Sequence, residues 1–175
     1  MQRFSIIKGN IVKAKTDAIV NAANTSLLGG GGVDGAIHRV AGEELLEECK
    51  SLGGCKRGEA KITKGYNLKA NYVIHTPGPI WRGGKFGEDE LLENCYKNSL
   101  RLAKENGVKT IAFPSISTGV YCFPVDRAAK IAVKAICSFL QTDSALEQVI
   151  MICFDEETKE AYVNAFEEYK RKDAM

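Results

Sequence analysis

The chain is short of most of the features that announce a function directly. It has two histidines, His38 and His75, far apart in sequence, and six cysteines that never form a C-x-x-C pair. Neither a zinc spacing nor a disulfide framework can be built from such a set. No run approaches the ~18 apolar residues that a membrane span needs. The opening MQRFSIIKGN lacks the apolar stretch of a signal peptide. Charge of one sign is missing as well: 24 Lys and Arg face 22 Asp and Glu, a net charge of +2. That balance argues against nucleic acid as a partner and leaves no acidic tail, while a regulatory protein partner stays open. Gly-Lys-Ser/Thr occurs nowhere, so there is no Walker-type loop. Cys122, Cys137 and Cys153 stand in apolar surroundings, the pattern of buried thiols in a cytoplasmic protein.

What is present is ordinary globular material, 45% apolar and 26% charged, without repeats or low-complexity segments. At this length one domain over residues 1–175 buries about 70% of its unfolded surface. Strand-like runs at Phe4–Lys8, Ala18–Asn21, Ala60–Lys64, Tyr72–Thr76, Thr110–Phe113 and Gln148–Phe154 alternate with helical patterns. The helices are expected from about Asp34, over Glu43–Lys50, Asp89–Asn106 (with Gly107 as its cap), Asp126–Leu140 and Glu156–Tyr169. Such alternation predicts an α/β fold with helices on both faces of a sheet, and ligands at the carboxyl ends of the strands.

Two loops leave strands at that end. In the first, Asn21 and Asn24 are followed by Gly29–Gly32 and a helix opening near Asp34. Glycines let a ligand approach the backbone, and a helix N-terminus suits an anion. The context of patterned apolar sequence argues against a flexible linker. Gly30-x-Gly32-x-x-Gly35 formally satisfies the dinucleotide fingerprint but fails it. Eight residues separate the motif from its strand, and no acidic residue ends a second strand about twenty positions on. The second loop, Pro114–Tyr121, is rich in small hydroxyls suited to phosphate oxygens. Tyr121 and Phe123 offer flat faces to a sugar or base.

VNAANTSLLGGGGVDGAIHRVAG, HTPGPIWRGG, AFPSISTGVYCFP and CFDEE occur in this order over nearly the whole chain. Together they resemble the macrodomains, and closely the MacroD-type bacterial group that processes ADP-ribose. The resemblance implies a three-layer α/β/α sandwich around a mixed sheet of six or seven strands. It implies ADP-ribose as ligand, with Gly30, Gly31, Gly32, Val33 and Gly35 around the proximal phosphate and distal ribose. Ser115, Ser117, Thr118, Gly119, Val120 and Tyr121 would hold the diphosphate from the other side, Phe154 would lie against the adenine, and Ala22 would join the contacts. Asn10 and Ile11 fall where the family carries Asp-Ile, whose aspartate accepts from the adenine amino group; an amide there accepts more weakly.

Asn24 and Asp34 match the family's hydrolytic pair, Asp34 for the water and Asn24 for the ribose hydroxyls. On residue chemistry alone Asp34 also fits an N-cap, Asn24 a turn, and His38 either a surface position or the site. The implied activity is metal-independent hydrolysis of ADP-ribosyl esters without a cofactor. O-acetyl-ADP-ribose and mono-ADP-ribose on acidic side chains of proteins are the expected substrates. The alternatives are a non-catalytic ADP-ribose reader, which has no need of the Asn24–Asp34 pair, or a regulatory protein- or RNA-binding module.

Overall fold

A computed structural model describes residues 3–174. Strands β1 (Phe4–Lys8), β2 (Ala18–Ala23), β3 (Lys61–Lys64), β4 (Tyr72–Pro77), β5 (Thr110–Phe113) and β6 (Gln148–Cys153) form one sheet in the order β1-β6-β5-β2-β4-β3. All neighbours pair in parallel except β3, which runs antiparallel to β4 at the edge. The sheet is therefore mixed and has six strands. Helices α1 (Gly32–Ala41), α2 (Glu43–Leu52), α3 (Glu88–Glu105), α4 (Val125–Thr142) and α5 (Glu156–Asp173) cover both of its faces.

The central strands are apolar on both sides because both sides are covered. Alternate residues serve opposite layers. Ala18, Val20, Ile74, Ile111, Phe113, Val149 and Met151 pack with the buried sides of α3, α4 and α5, including Leu92, Tyr96, Ala132, Ile136 and Tyr162. Ile19, Val73, Ala112 and Ile152 pack with Ile37, Ala41, Leu45 and Cys49 of α1 and α2. Full burial of each large aliphatic contributes about 1.5–3 kcal/mol, so a charged substitution at Ile19 would lose that and add a desolvation cost.

The expected elements are all present, with shifts at the ends. α1 starts at Gly32, two residues before Asp34, and its N-cap is Gly31. A 3-10 turn, Ile11–Lys13, follows β1 and is capped by Asn10, whose Oδ1 accepts from Val12 N–H at 3.2 Å. α3 ends as its glycine predicts, with Gly107 at φ 73° and Val108 N–H bonded back to the Ala103 carbonyl at 3.0 Å. Cys137 and Cys153 are buried, and burial pushes each thiol up to about 12. Cys122 is exposed, contrary to the expectation from its apolar neighbours, because the loop turns it outward at φ 61°.

Candidate active site

Parallel pairing of β1, β6, β5 and β2 opens their carboxyl ends along one edge of the sheet. A cavity of about 830 Å³ lies there, within the range of small-molecule sites, about 300–1,000 Å³. Asn10, Ile11, Ala22, Asn24, Gly30, Gly31, Gly32, Val33, Asp34, Ser115, Ser117, Thr118, Gly119, Val120, Tyr121 and Phe154 all line it. Gly35 does not. It is buried behind the loop, where an added Cβ would overlap the Gly30 carbonyl oxygen, so its role is close packing of α1 on the loop. Arg39, Gly78, Ile152, Asp155 and Thr158 also reach the cavity, unforeseen from the sequence. Only Gly78 carried a signal, a glycine straight after an apolar strand. A Cβ there would overlap Ser117 Oγ and crowd Ile116, so the close approach of the second loop to the end of β4 requires a glycine at this position.

The glycine loop places the first turn of α1 on the cavity wall, and no side chain caps that turn. Its unpaired N–H groups and dipole favour an anion. Asp34 is the third residue of α1 rather than its N-cap, which corrects the capping alternative. Its side chain turns inward instead: it is 4% exposed, and Oδ1 accepts from Asn21 Nδ2 at 2.9 Å. His38 Nε2, one turn on, lies 3.4 Å from the same oxygen, an ion-pair distance for a protonated ring but without hydrogen-bond geometry. His38 is therefore turned toward Asp34 rather than out to solvent, although it does not line the cavity. Burial raises the Asp34 carboxyl above the ordinary carboxylate range, opposed by the Asn21 hydrogen bond and His38. Oδ2 lies beside Gly30, 3.2 Å from where a Cβ would stand.

Asn24 holds the turn that leads to the glycines. Its Oδ1 accepts from Ser26 N–H at 3.1 Å, Ser26 Oγ at 2.6 Å and Leu27 N–H at 3.1 Å, and its Nδ2 donates to the Gly29 carbonyl at 2.8 Å. One amide hydrogen is left for a ligand. The turn reading of Asn24 is thus correct, and its place on the cavity wall leaves the ligand role compatible with it.

The second loop rests on two buried tyrosines. Ser115 Oγ lies 2.8 Å from Tyr162 Oη and 2.7 Å from Thr118 Oγ1, and Ile116 N–H donates to Tyr96 Oη at 3.2 Å. The Ser115 and Thr118 hydroxyls are thus engaged with each other and with Tyr162, while the Ser117 hydroxyl, also on the cavity wall, has no partner among the described residues. Phe123 is packed against Trp81, ring centroids 4.8 Å apart, and cannot offer a face to a ligand. Tyr121 can: it lines the cavity, with the Arg57 guanidinium 5.3 Å from its ring centroid. Trp81 N–H donates to the Tyr121 carbonyl at 2.9 Å. At the opposite end Phe154 is 86% exposed, a flat apolar surface at the cavity mouth.

Residues 20–132 match the Macro domain family model, a stretch that spans both loops. This chain belongs to the macrodomain family. It is 60% identical over 158 residues to a macro domain-containing protein of Methanosarcina mazei, covering 90% of this chain and 84% of that one. A protein of Escherichia fergusonii named O-acetyl-ADP-ribose deacetylase is 53% identical over 164 residues, covering 91% and 93%. Among solved structures, a mutant macrodomain of Oceanobacillus iheyensis with ADPR superposes with a TM-score of 0.91 at 43% identity, covering 95% of this macrodomain and 92% of that chain. The three-layer mixed-sheet architecture expected from the sequence is the one these macrodomains share.

Proposed function

We propose that this macrodomain binds ADP-ribose and hydrolyses esters of it, O-acetyl-ADP-ribose and mono-ADP-ribose attached to acidic side chains of proteins. One observation carries the reading: a buried carboxylate, Asp34, has one oxygen anchored by Asn21 and the other beside the glycine loop of the cavity. Burial raises its proton affinity, as a group that takes a proton from water requires. The solved macrodomain with ADPR supports the ligand, and the relative named for deacetylation supports the reaction.

Asp34 Oδ2 accepts a proton as a water oxygen bonds to the electrophilic carbon of the ester. The negative charge that develops is steadied by main-chain N–H groups of the two loops. The proton then passes to the departing oxygen, giving a free acid and an alcohol from one ester and one water. The diphosphate lies between the first turn of α1 and residues 115–121, and the base against Phe154. Titration calorimetry should give micromolar binding for ADP-ribose and much weaker binding for AMP, which lacks the distal phosphate and ribose. The acetyl ester should then be turned over, with ¹⁸O from water marking the carbon attacked. Equal affinity for AMP and ADP-ribose would remove the glycine loop from the site. Tight ADP-ribose binding with no turnover would leave a reader.

A further inference from the structure

Beneath Asp34, a chain of buried polar side chains crosses the sheet from β2 to its edge strand. Asn21, on β2, is fully buried. Its Nδ2 donates to Asp34 Oδ1 at 2.9 Å and lies 3.1 Å from His75 Nδ1 on the paired strand β4. On the far side of the ring, His75 Nε2 lies 2.9 Å from Thr63 Oγ1 on β3. Thr63 Oγ1 is in turn 3.1 Å from the Lys64 carbonyl. Cys49 Sγ is the other polar neighbour of the ring, 3.8 Å from Nε2.

The Lys64 carbonyl and the Asp34 carboxylate, in the ionised form that takes a proton from water, can only accept, and that sets the direction of every bond between them. The Lys64 carbonyl takes the Thr63 hydroxyl hydrogen, so Thr63 Oγ1 accepts from His75 Nε2–H. His75 is then neutral with its lone pair on Nδ1, and Nδ1 accepts one of the two Asn21 amide hydrogens. The second amide hydrogen goes to Asp34. Burial holds the ring neutral, pushing His75 down to about 3, with the nearby His38 acting in the same sense. The arrangement has a visible cost: Asn21 Oδ1 is left buried without a partner. The amide keeps this orientation because its nitrogen makes both bonds. A hydrogen on Nδ1 would turn the amide over, and its oxygen would then face the Asp34 carboxylate.

We propose that His75 is a positioning residue for Asp34: through Asn21 it fixes which way the amide faces and hence where the carboxylate is held. The inference rests on the proposed role of Asp34 in hydrolysis. His75 does not line the cavity, so its removal should alter turnover rather than binding. The Asn side chain places an oxygen near the position of Nδ1, so His75→Asn restores the acceptor, whereas His75→Leu does not.

In folded His75→Leu, kcat on the acetyl ester should fall by about 10- to 100-fold, with the Kd for ADP-ribose within about twofold of the parent. His75→Asn should recover most of that loss, and Thr63→Val, which keeps the ring but frees Nε2–H, should cost less than His75→Leu. An unchanged kcat in His75→Leu, a loss shared equally by Kd, or His75→Asn no better than His75→Leu would each overturn the proposal. Imidazole nitrogen NMR of the parent gives a reading independent of turnover and of whether the leucine variant folds. It should show an unprotonated Nδ1 and a protonated Nε2 at neutral pH, and the opposite tautomer would overturn the relay. If the parent binds ADP-ribose, shows that tautomer and turns nothing over, the hydrolase reading falls while the orientation of Asn21 by His75 stands.

Discussion

Asp34 and Asn24 are neighbours on the cavity wall that do different physical work, and their variants should separate accordingly. Asp34 caps nothing, so Asp34→Ala loses no capping bond. It should fold, keep its ADP-ribose affinity and lose kcat by roughly 100-fold or more, measured on the acetyl ester. Its stability carries a second signature. Asp34 has a raised folded value, so the fold favours the protonated carboxyl. Its ionisation costs stability as pH rises from the ordinary carboxylate value through the raised one. Relative to the parent, the Tm of Asp34→Ala should therefore improve from about pH 3 to neutrality. A Tm of Asp34→Ala that fell relative to the parent's over that range would contradict the buried, unfavourably ionised carboxylate. Asn24→Ala removes the hydrogen bonds that fold the turn from Ser26 to Gly29. Here stability should drop by about 1–2 kcal/mol, and ADP-ribose affinity should fall together with kcat. Asn24→Ala with parental Tm and Kd would mean that the turn holds without it.

At the scale of elements, the segment between β4 and α3 is tied down by one carboxylate. Glu88, the first residue of α3, is buried and accepts from the N–H groups of Arg82 at 2.9 Å, Gly84 at 2.8 Å and Phe86 at 2.6 Å. Burial by itself would raise this carboxyl, but those donors outweigh it and lower it to about 2. A depressed folded value means stability that is fully present above the ordinary value of about 4.3 and lost as pH falls toward 2. Glu88→Gln presents a donor where an acceptor is needed. Its Tm should lie below the parent's at neutral pH, and calorimetry should find the gap shrinking below about pH 4. A gap independent of pH would remove the charge from the explanation. The same segment carries Trp81, bonded to the Tyr121 carbonyl, so loosening it should also weaken ligand binding at the second loop. None of this was visible as an element in the sequence. In the sequence the segment is only the stretch between a strand pattern and a helix pattern, whereas a carboxylate folding its own loop depends on backbone geometry. The regular elements were visible because side-chain period and glycine stops are local. The antiparallel direction of β3 was not, because an isolated four-residue strand carries no mark of its orientation.

For the molecule as a whole, the near-balance of charge suits a site that recognises phosphate by main-chain dipoles. Among the described residues Arg39 is the only Lys or Arg lining the cavity, and Asp34 and Asp155 share that wall. Affinity for ADP-ribose should accordingly change by less than about threefold as salt rises from about 0.05 to about 0.5 M, since no array of exposed cations is there to be screened. A steep loss would reveal a cationic clamp. By itself the sequence determined the strands and helices, the two loops at one end of the sheet, and most of the cavity wall. The elements and the two loops follow from alternation, from glycine and from the unpaired amides of a helix start, all of which act over a few residues, whereas wall residues such as Asn10, Ile11, Ala22 and Phe154 were implied only by the family resemblance. Only the tertiary structure decided that Asp34 turns inward, that Gly35 is a packing residue and that Phe123 is covered by Trp81. It alone brought Asn21, His75 and Thr63 into one line. Those three lie on adjacent strands but far apart along the chain, and a hydrogen bond between them depends on sheet register to within one residue, which no local pattern carries.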